Sequence, residues 1–199
     1  MAVTGRLAFV TGAGSGIGRA TCQILAREGA TIIATDKNIT DVEKTITSIN
    51  KSENSHTGMA LDVAEPEAGT FFVVQTFANA IIDHGITNAS IINIGSIVGK
   101  YGNIGQVNYS ASKAGVELLT KTASKELGKK GIRVNAVLPG MILTPMLQAV
   151  PDKVKEKFKL STPLGRFGTP DEVAEVITFL ASDKSSYITG ASIEITGGF

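Results

Sequence analysis

The chain has 199 residues, 43% hydrophobic and 19% charged, with a formal net charge of +1. This is the balance of one globular domain, residues 1–199, with a sizeable core, and it removes any general electrostatic case for binding nucleic acid or a membrane surface. A single cysteine, Cys22, excludes an intrachain disulfide and fits a reducing compartment.

Arg6 to Thr11 holds the apolar run of a buried strand. Thr11-Gly12-Ala13-Gly14-Ser15-Gly16-Ile17-Gly18 follows, then a helix-period stretch to Glu28 on which Cys22 reads as core filler. Strand, glycine-rich turn and helix form the context of a dinucleotide fingerprint. The glycines let the backbone approach a pyrophosphate, and the helix N-terminus offers unpaired N–H groups. A glycine-rich turn with no ligand is the plainer alternative. The strand pattern begins so early that no room is expected upstream for a cleaved leader.

Thr31 to Thr35 predicts a second strand ending at Asp36, about 18 residues past the turn. A carboxylate there can accept hydrogen bonds from an adenosine ribose and would repel a 2′-phosphate, which favours NAD over NADP. Thr40 and Asp41 are placed to start the next helix, which runs to about Asn50. Lys51 to His56 reads as a polar loop with His56 exposed. A weaker third strand, Thr57 to Leu61, ends in Asp62-Val63, where Asp62 could reach the adenine edge. Ala64 to Ala68 is a connector. Gly69 to Asp83 is a helix whose Phe71 and Phe72 read as packing, with His84 at its end in a charge–dipole role.

Ala89 to Gly95 is a strand delivering Ser96 and a glycine-bearing loop. A helix from Tyr109 to about Lys130 puts Tyr109 and Lys113 on one face. An ammonium beside a phenol favours the phenolate and makes a usable proton donor and acceptor. With Ser96 the set could polarise a carbonyl and protonate its oxygen; the same pair could also sit on an ordinary surface helix. Lys121, Lys125 and Lys129 recur every four residues and mark a solvated face. Ile132 to Leu138 is a strand closed by Pro139-Gly140. Met141 to Leu160 reads as a cover, with Thr144-Pro145 and Pro151 as its turns and a short helix near Val154 to Phe158. Thr169-Pro170-Asp171-Glu172 starts the last helix, and Ala191 to Thr196 is the last strand. Alternating strands and helices predict an α/β fold, a doubly wound parallel sheet with helices on both faces, with ligands at the strand C-terminal ends.

These residues together resemble the short-chain dehydrogenase/reductases. The resemblance rests on the glycine turn, Asp62, Ser96, Tyr109-x-x-x-Lys113, the spacing of thirteen from Ser96 to Tyr109, and Pro139-Gly140 with Thr144. Within that family, Ile94 to Gln106 resembles the β-ketoacyl-acyl-carrier-protein reductases. Gly12 to Ala20 with Asp36 is similar to the 17β-hydroxysteroid dehydrogenases of the same family. The resemblance implies a Rossmann-like sheet and an NAD(H)-dependent interconversion of carbonyl and secondary alcohol. It points to 3-oxoacyl groups on acyl-carrier protein or CoA, to 17β-hydroxysteroids, or to both. It implies Tyr109 as acid/base, Lys113 on the nicotinamide ribose lowering the tyrosine pKa, and Ser96 on the substrate oxygen. Gly12, Ser15, Gly16, Ile17, Gly18, Asp36, Asp62, Val63, Ile142 and Thr144 join Tyr109 and Lys113 around the cofactor, with no metal. It further implies homo- or hetero-oligomers through helices 69–83 and 109–130, acyl-carrier protein as a candidate partner of the lysine face, and the mitochondrial matrix or otherwise the cytoplasm.

The family chain is longer by roughly 50 residues, one strand–helix unit, and the gap falls between Val63 and Gly69. It removes the fourth strand and its preceding helix and leaves Pro66 where the family has a catalytic Asn. Two arrangements are open. The first strand could pair directly with the strand bearing Ser96, shifting the Ser/Tyr/Lys set by about 4.8 Å, or a slot could remain between them with exposed edges. A silent variant that binds dinucleotide or a full-length partner is the alternative to an active enzyme.

Overall fold

A computed structural model describes residues 2–49, 55–63 and 69–199. The described residues form six strands: β1 (Leu7–Thr11), β2 (Thr31–Asp36), β3 (Thr57–Ala60), β4 (Ala89–Ile94), β5 (Ile132–Pro139) and β6 (Ser192–Ile195). The helices are α1 (Gly16–Arg27), α2 (Ile39–Ile49), α3 (Thr70–Asp83), α4 (Ile97–Tyr101), α5 (Val107–Leu127), α6 (Pro145–Gln148), α7 (Asp152–Ser161) and α8 (Pro170–Ala181). Every strand pairing is parallel, as apolar strands alternating with helices require. The fold is a Rossmann-like α/β arrangement.

The sheet is divided. β1, β2 and β3 form one three-stranded sheet and β4, β5 and β6 another, and β1 does not pair with β4. Among the described residues the direct pairing is therefore not formed and no strand lies between β1 and β4, which leaves a slot. Its strands show the consequence. All eight residues of β5 are buried, whereas β1 has none buried and β4 only Asn93. Leu7 is 67% exposed and Ile94 39%, in strands whose apolar runs are those of a sheet interior.

Helices hold the halves together. α1 packs on β1 and β2, α8 packs on β4 and β5, and the two helices lie against each other. Ala20, Ile24 and Ala174 form the buried seam between them, and Arg27 pairs with Glu175 at 2.6 Å. Each cluster of buried apolar side chains includes residues of α1, α2 or α8, with Cys22 fully buried among them. The opposite face carries α3 and α5 and is thinner. On α3 only Val74 and Ala78 are buried. Phe77 reaches Phe9 of β1 with ring centroids 4.5 Å apart.

Several local expectations change. Phe71 and Phe72 are exposed and meet each other edge-on rather than packing into a core. His56 is half-buried, not exposed, because its Nδ1 accepts the Ile32 amide at 3.1 Å; burial holds its pKa below the usual histidine value. α2 is capped by Asn38, whose Oδ1 accepts the Thr40 amide. α5 begins at Val107, ahead of Tyr109, and the residues after Ser96 form α4 rather than a loop. The cover contains α6 as well as the longer α7. His84 stands at the C-cap of α3 with Nδ1 2.9 Å from the Ala80 carbonyl. Lys121, Lys125 and Lys129 are exposed, as a solvated face requires. The connector Ala64 to Ala68, with Pro66, lies outside the described residues, as do Lys51 to Asn54.

Candidate active site

The turn from β1 into α1 is built on glycine geometry. Gly12 and Gly16 have φ of +64° and +50°, a region that favours glycine. A Cβ on Gly18 would stand 2.0 Å from the Gly12 carbonyl oxygen, so only glycine lets the first turn of α1 sit against the loop. Above Gly12 there is nothing within 4 Å of where a Cβ would be. The turn is braced from outside. Thr45 Oγ1 donates to the Ala13 carbonyl at 2.8 Å and accepts Arg19 Nε at 3.0 Å, and the Arg19 guanidinium also bonds the Gly14 carbonyl. Thr45 and Arg19 carry no signal in the sequence, since their meeting depends on α2 lying beside α1.

Asp36, at the end of β2, stands next to this turn. Its Oδ2 accepts the Gly14 amide at 3.0 Å and its Oδ1 the Asn38 amide at 3.2 Å. The Leu61 amide donates to the Asp36 carbonyl, which brings Asp62 and Val63 to the same end of the sheet. Ile142 is buried and bridges Gly168. Thr144 lies against the turn: a Cβ on Gly16 would meet its methyl carbon at 3.1 Å. The residues expected around a dinucleotide thus gather at the C-terminal ends of β1, β2, β3 and β5.

Ser96 follows β4, is 7% exposed, and accepts the Val98 amide at 3.2 Å as the N-cap of α4. That bond leaves its O–H as a donor. Lys113 Nζ donates to the Ile94 carbonyl at 3.1 Å, two residues before Ser96, and lies 5.7 Å from the Tyr109 ring centroid. Burial lowers the Lys113 ammonium from its usual value. Two features that sequence reasoning missed fix this arrangement. Gly99 lets α4 lie on the Lys113 backbone, and Asn93 Nδ2 donates to Thr120 Oγ1 at 2.9 Å, pinning α5 to β4. Both are contacts between elements and leave no local pattern.

Two clefts flank the site. One of about 340 Å³ is lined by cover residues including Leu143, Thr144, Leu147 and Phe167; another of about 350 Å³ includes Met141, Arg166 and Glu194. Neither includes Ser96, Tyr109 or Lys113 among its lining. Among the described residues no group of three His, Cys, Asp or Glu could hold a metal ion, and no helix is long and apolar enough to cross a membrane.

Comparison with known proteins accounts for the arrangement. The family model described as enoyl-(acyl carrier protein) reductase matches residues 68–199, and that described as short chain dehydrogenase matches residues 6–68. The chain belongs to the short-chain dehydrogenase/reductase family. It is 42% identical to the (3R)-3-hydroxyacyl-CoA dehydrogenase of Homo sapiens, covering 96% of this chain and 94% of that one. It is 40% identical to the 3-oxoacyl-[acyl-carrier-protein] reductase FabG of Thermotoga maritima, covering 100% and 99%. It is 58% identical to the estradiol 17-beta-dehydrogenase 8 of Callithrix jacchus over 62% of this chain and 92% of that one. Among solved structures, a 3-oxoacyl-[acyl-carrier protein] reductase of Brucella melitensis superposes with a TM-score of 0.91 at 27% identity, covering 100% and 92%. A 2-deoxy-d-gluconate 3-dehydrogenase from Agrobacterium tumefaciens, described as putative and holding NADP, superposes with a TM-score of 0.92 at 27% identity, covering 99% and 97%.

This short-chain dehydrogenase/reductase is shorter than the relatives it matches over nearly its whole length. The alignment to the Thermotoga maritima reductase runs over 245 positions against 199 residues here, so at least 46 positions have no counterpart. The two family models meet at residue 68, between β3 and α3 in chain order.

Proposed function

We propose that the chain is an NAD(H)-dependent oxidoreductase that interconverts a carbonyl and a secondary alcohol. The observation that supports this reading is the Lys113 ammonium held on the Ile94 carbonyl, two residues before Ser96, and beside the Tyr109 ring. The residues present fit a nicotinamide dinucleotide: the turn is open above Gly12 and braced from behind, and a carboxylate stands at the end of β2. A bound nicotinamide supplies or accepts the hydride. Gly12, Ser15, Gly16, Ile17 and Gly18 hold its phosphates, Asp36 the adenosine ribose, Asp62 and Val63 the adenine side, and Ile142 and Thr144 the carboxamide end.

Tyr109 donates its phenolic proton to the carbonyl oxygen during reduction and takes it back during oxidation. The Lys113 cation stabilises the charge that develops on the phenol oxygen and holds the nicotinamide ribose. Ser96 donates its O–H to the substrate oxygen and orients it. Asp36 favours NAD over NADP because its carboxylate repels a 2′-phosphate. The relatives' names support a 3-oxoacyl group on acyl-carrier protein or CoA as the substrate, with a 17β-hydroxysteroid as a second class. The exposed Lys121, Lys125 and Lys129 offer an acidic carrier protein a docking face. The exposed apolar side chains Phe71 and Phe72 on α3, with Val107 and Leu118 on α5, suit a second subunit.

The deciding experiment is NADH titration calorimetry followed by turnover of acetoacetyl-CoA and estradiol, with Tyr109→Phe as control. Saturable binding and turnover abolished by Tyr109→Phe support the reading. Binding without turnover would leave a silent dinucleotide binder.

A further inference from the structure

We propose that the slot between β1 and β4 is an acceptor site for one extended apolar peptide segment, which enters as a parallel strand and pairs with both edges at once. The width allows it. The Arg6 Nη1 at the start of β1 donates to the carbonyl of Asn88, just before β4, at 3.0 Å. An arginine side chain reaches about 7 Å from its Cα, so the Asn88 carbonyl stands no more than about 10 Å from the Arg6 Cα, and β1 and β4 do not pair directly. Two strand spacings are about 9.6 Å, the distance left by one absent strand. The direction fits as well. Arg6 and Asn88 meet at the N-terminal ends, while Gly16 and Thr144 meet beyond the C-terminal ends, so both edges run the same way.

The backbone of both edges is turned to the slot at alternate residues. Arg6 accepts the Thr31 amide from β2, and Ala89 and Gly95 donate to Gly131 and Val137 on the β5 side. By the alternation of a parallel ladder, Leu7, Phe9 and Thr11 on one edge and Ser90, Ile92 and Ile94 on the other present their N–H and C=O groups to the slot. Such groups need partners. The Ile94 carbonyl has taken the Lys113 ammonium, so an incoming strand competes for the bond that holds Lys113.

The occupant is set by the walls. On one side lie α1, α8 and their seam of Ala20, Ile24 and Ala174; on the other Phe77 of α3 meets Phe9. A strand covered on both faces by apolar groups is itself near-continuously apolar, rich in Val, Ile and Leu. The Thermotoga maritima reductase carries at least 46 positions that this chain lacks. The partner is therefore an extended Val/Ile/Leu-rich segment supplied by another polypeptide. This is strand addition, with main-chain hydrogen bonds giving the affinity, here made on two edges rather than one.

The test is amide hydrogen exchange with and without synthetic peptides. These tile the stretch of the human (3R)-3-hydroxyacyl-CoA dehydrogenase that has no counterpart here, each carrying two added lysines for solubility. One peptide is expected to slow exchange at Leu7, Phe9, Thr11, Ser90, Ile92 and Ile94 by at least tenfold and to raise the unfolding midpoint. The same peptide N-methylated at alternate amides should do neither, with the protein left untouched. Ile92→Pro removes a slot-facing N–H that β5 does not use, and should keep the circular dichroism spectrum and lose the protection. The proposal is overturned if no peptide protects these amides, if protection falls on one edge only, if it falls on α3 and α5 instead, or if the N-methylated peptide protects equally. Protection that rises with chain concentration and without peptide would assign the slot to a second copy and overturn it too. The readout needs no dinucleotide, so it stands apart from the activity proposed above.

Discussion

A methyl group on Gly99 would lie 2.7 Å from the Lys113 carbonyl carbon and 2.8 Å from the Ala114 nitrogen. The short helix after Ser96 and the helix bearing Tyr109 and Lys113 therefore touch backbone to backbone at the lysine itself. Neither atom belongs to a flexible side chain that could move aside. Gly99→Ala is expected to push α4 away from α5, costing about 1–3 kcal/mol of stability by overpacking and lowering turnover by about 100-fold, since misplacement by about 1 Å has that effect. NADH affinity should fall less than turnover, because the glycine turn and Asp36 on the other half-sheet still hold the phosphate and adenosine end while only the Lys113 contact to the nicotinamide ribose is disturbed. Thermal unfolding, calorimetry and kcat measured on one preparation check all three.

Asp36→Asn keeps an oxygen to accept the Gly14 or Asn38 amide but removes the charge. The preference for NADH over NADPH should fall by about tenfold or more, equivalent to about 1.4 kcal/mol, with little change in unfolding midpoint. An unchanged ratio of kcat/KM for the two cofactors would remove Asp36 from specificity.

His56 titrates against stability. Its folded pKa lies below the ordinary 6.5 because burial disfavours the charged ring, and its neutral Nδ1 accepts the Ile32 amide. The unfolded chain therefore binds the proton more readily. Its contribution is complete above about pH 6.5 and is lost as pH falls through 6.5 towards the lowered folded value. Denaturant midpoints should decline over that window in the native chain. His56→Gln should flatten the decline.

Glu172 behaves in the same sense at lower pH. The Arg166 guanidinium, then the Thr169 amide, hold its carboxyl down to about 2 from 4.5. With Thr169 it forms the capping box of α8. A depressed carboxyl contributes fully above about 4.5 and loses that contribution as pH falls towards 2. Glu172→Gln should remove the acid-side slope while keeping α8 by circular dichroism. Because the pair is exposed, the slope should shrink in high salt.

The site's elements were legible because their signals are local. The glycine turn between an apolar run and a helix, Asp36 at a strand end, and Tyr109 four residues before Lys113 all follow from short-range spacing, and each is found on the expected kind of element. The bracing was not. Thr45 and Arg19 behind the turn, Gly99 beneath Lys113, Asn93 against Thr120 and His56 on Ile32 join residues from different elements, and nothing in their neighbours announces them. Asn38 as a cap was within reach, since its type and place suit one.

The residue pattern determined a parallel α/β chain and the residues placed at the strand ends, and the resemblance it carries implied the family and a shortened chain. It left open whether β1 would close against β4. That was decided in three dimensions. α1 and α8 are packed side by side through Ala20, Ile24 and Ala174, and each carries its own half-sheet. Closing the sheet would move those halves together by about 4.8 Å and drive the buried seam into itself. Close-packed interiors resist such compression, so the seam holds the slot open although β1 and β4 individually read as interior strands.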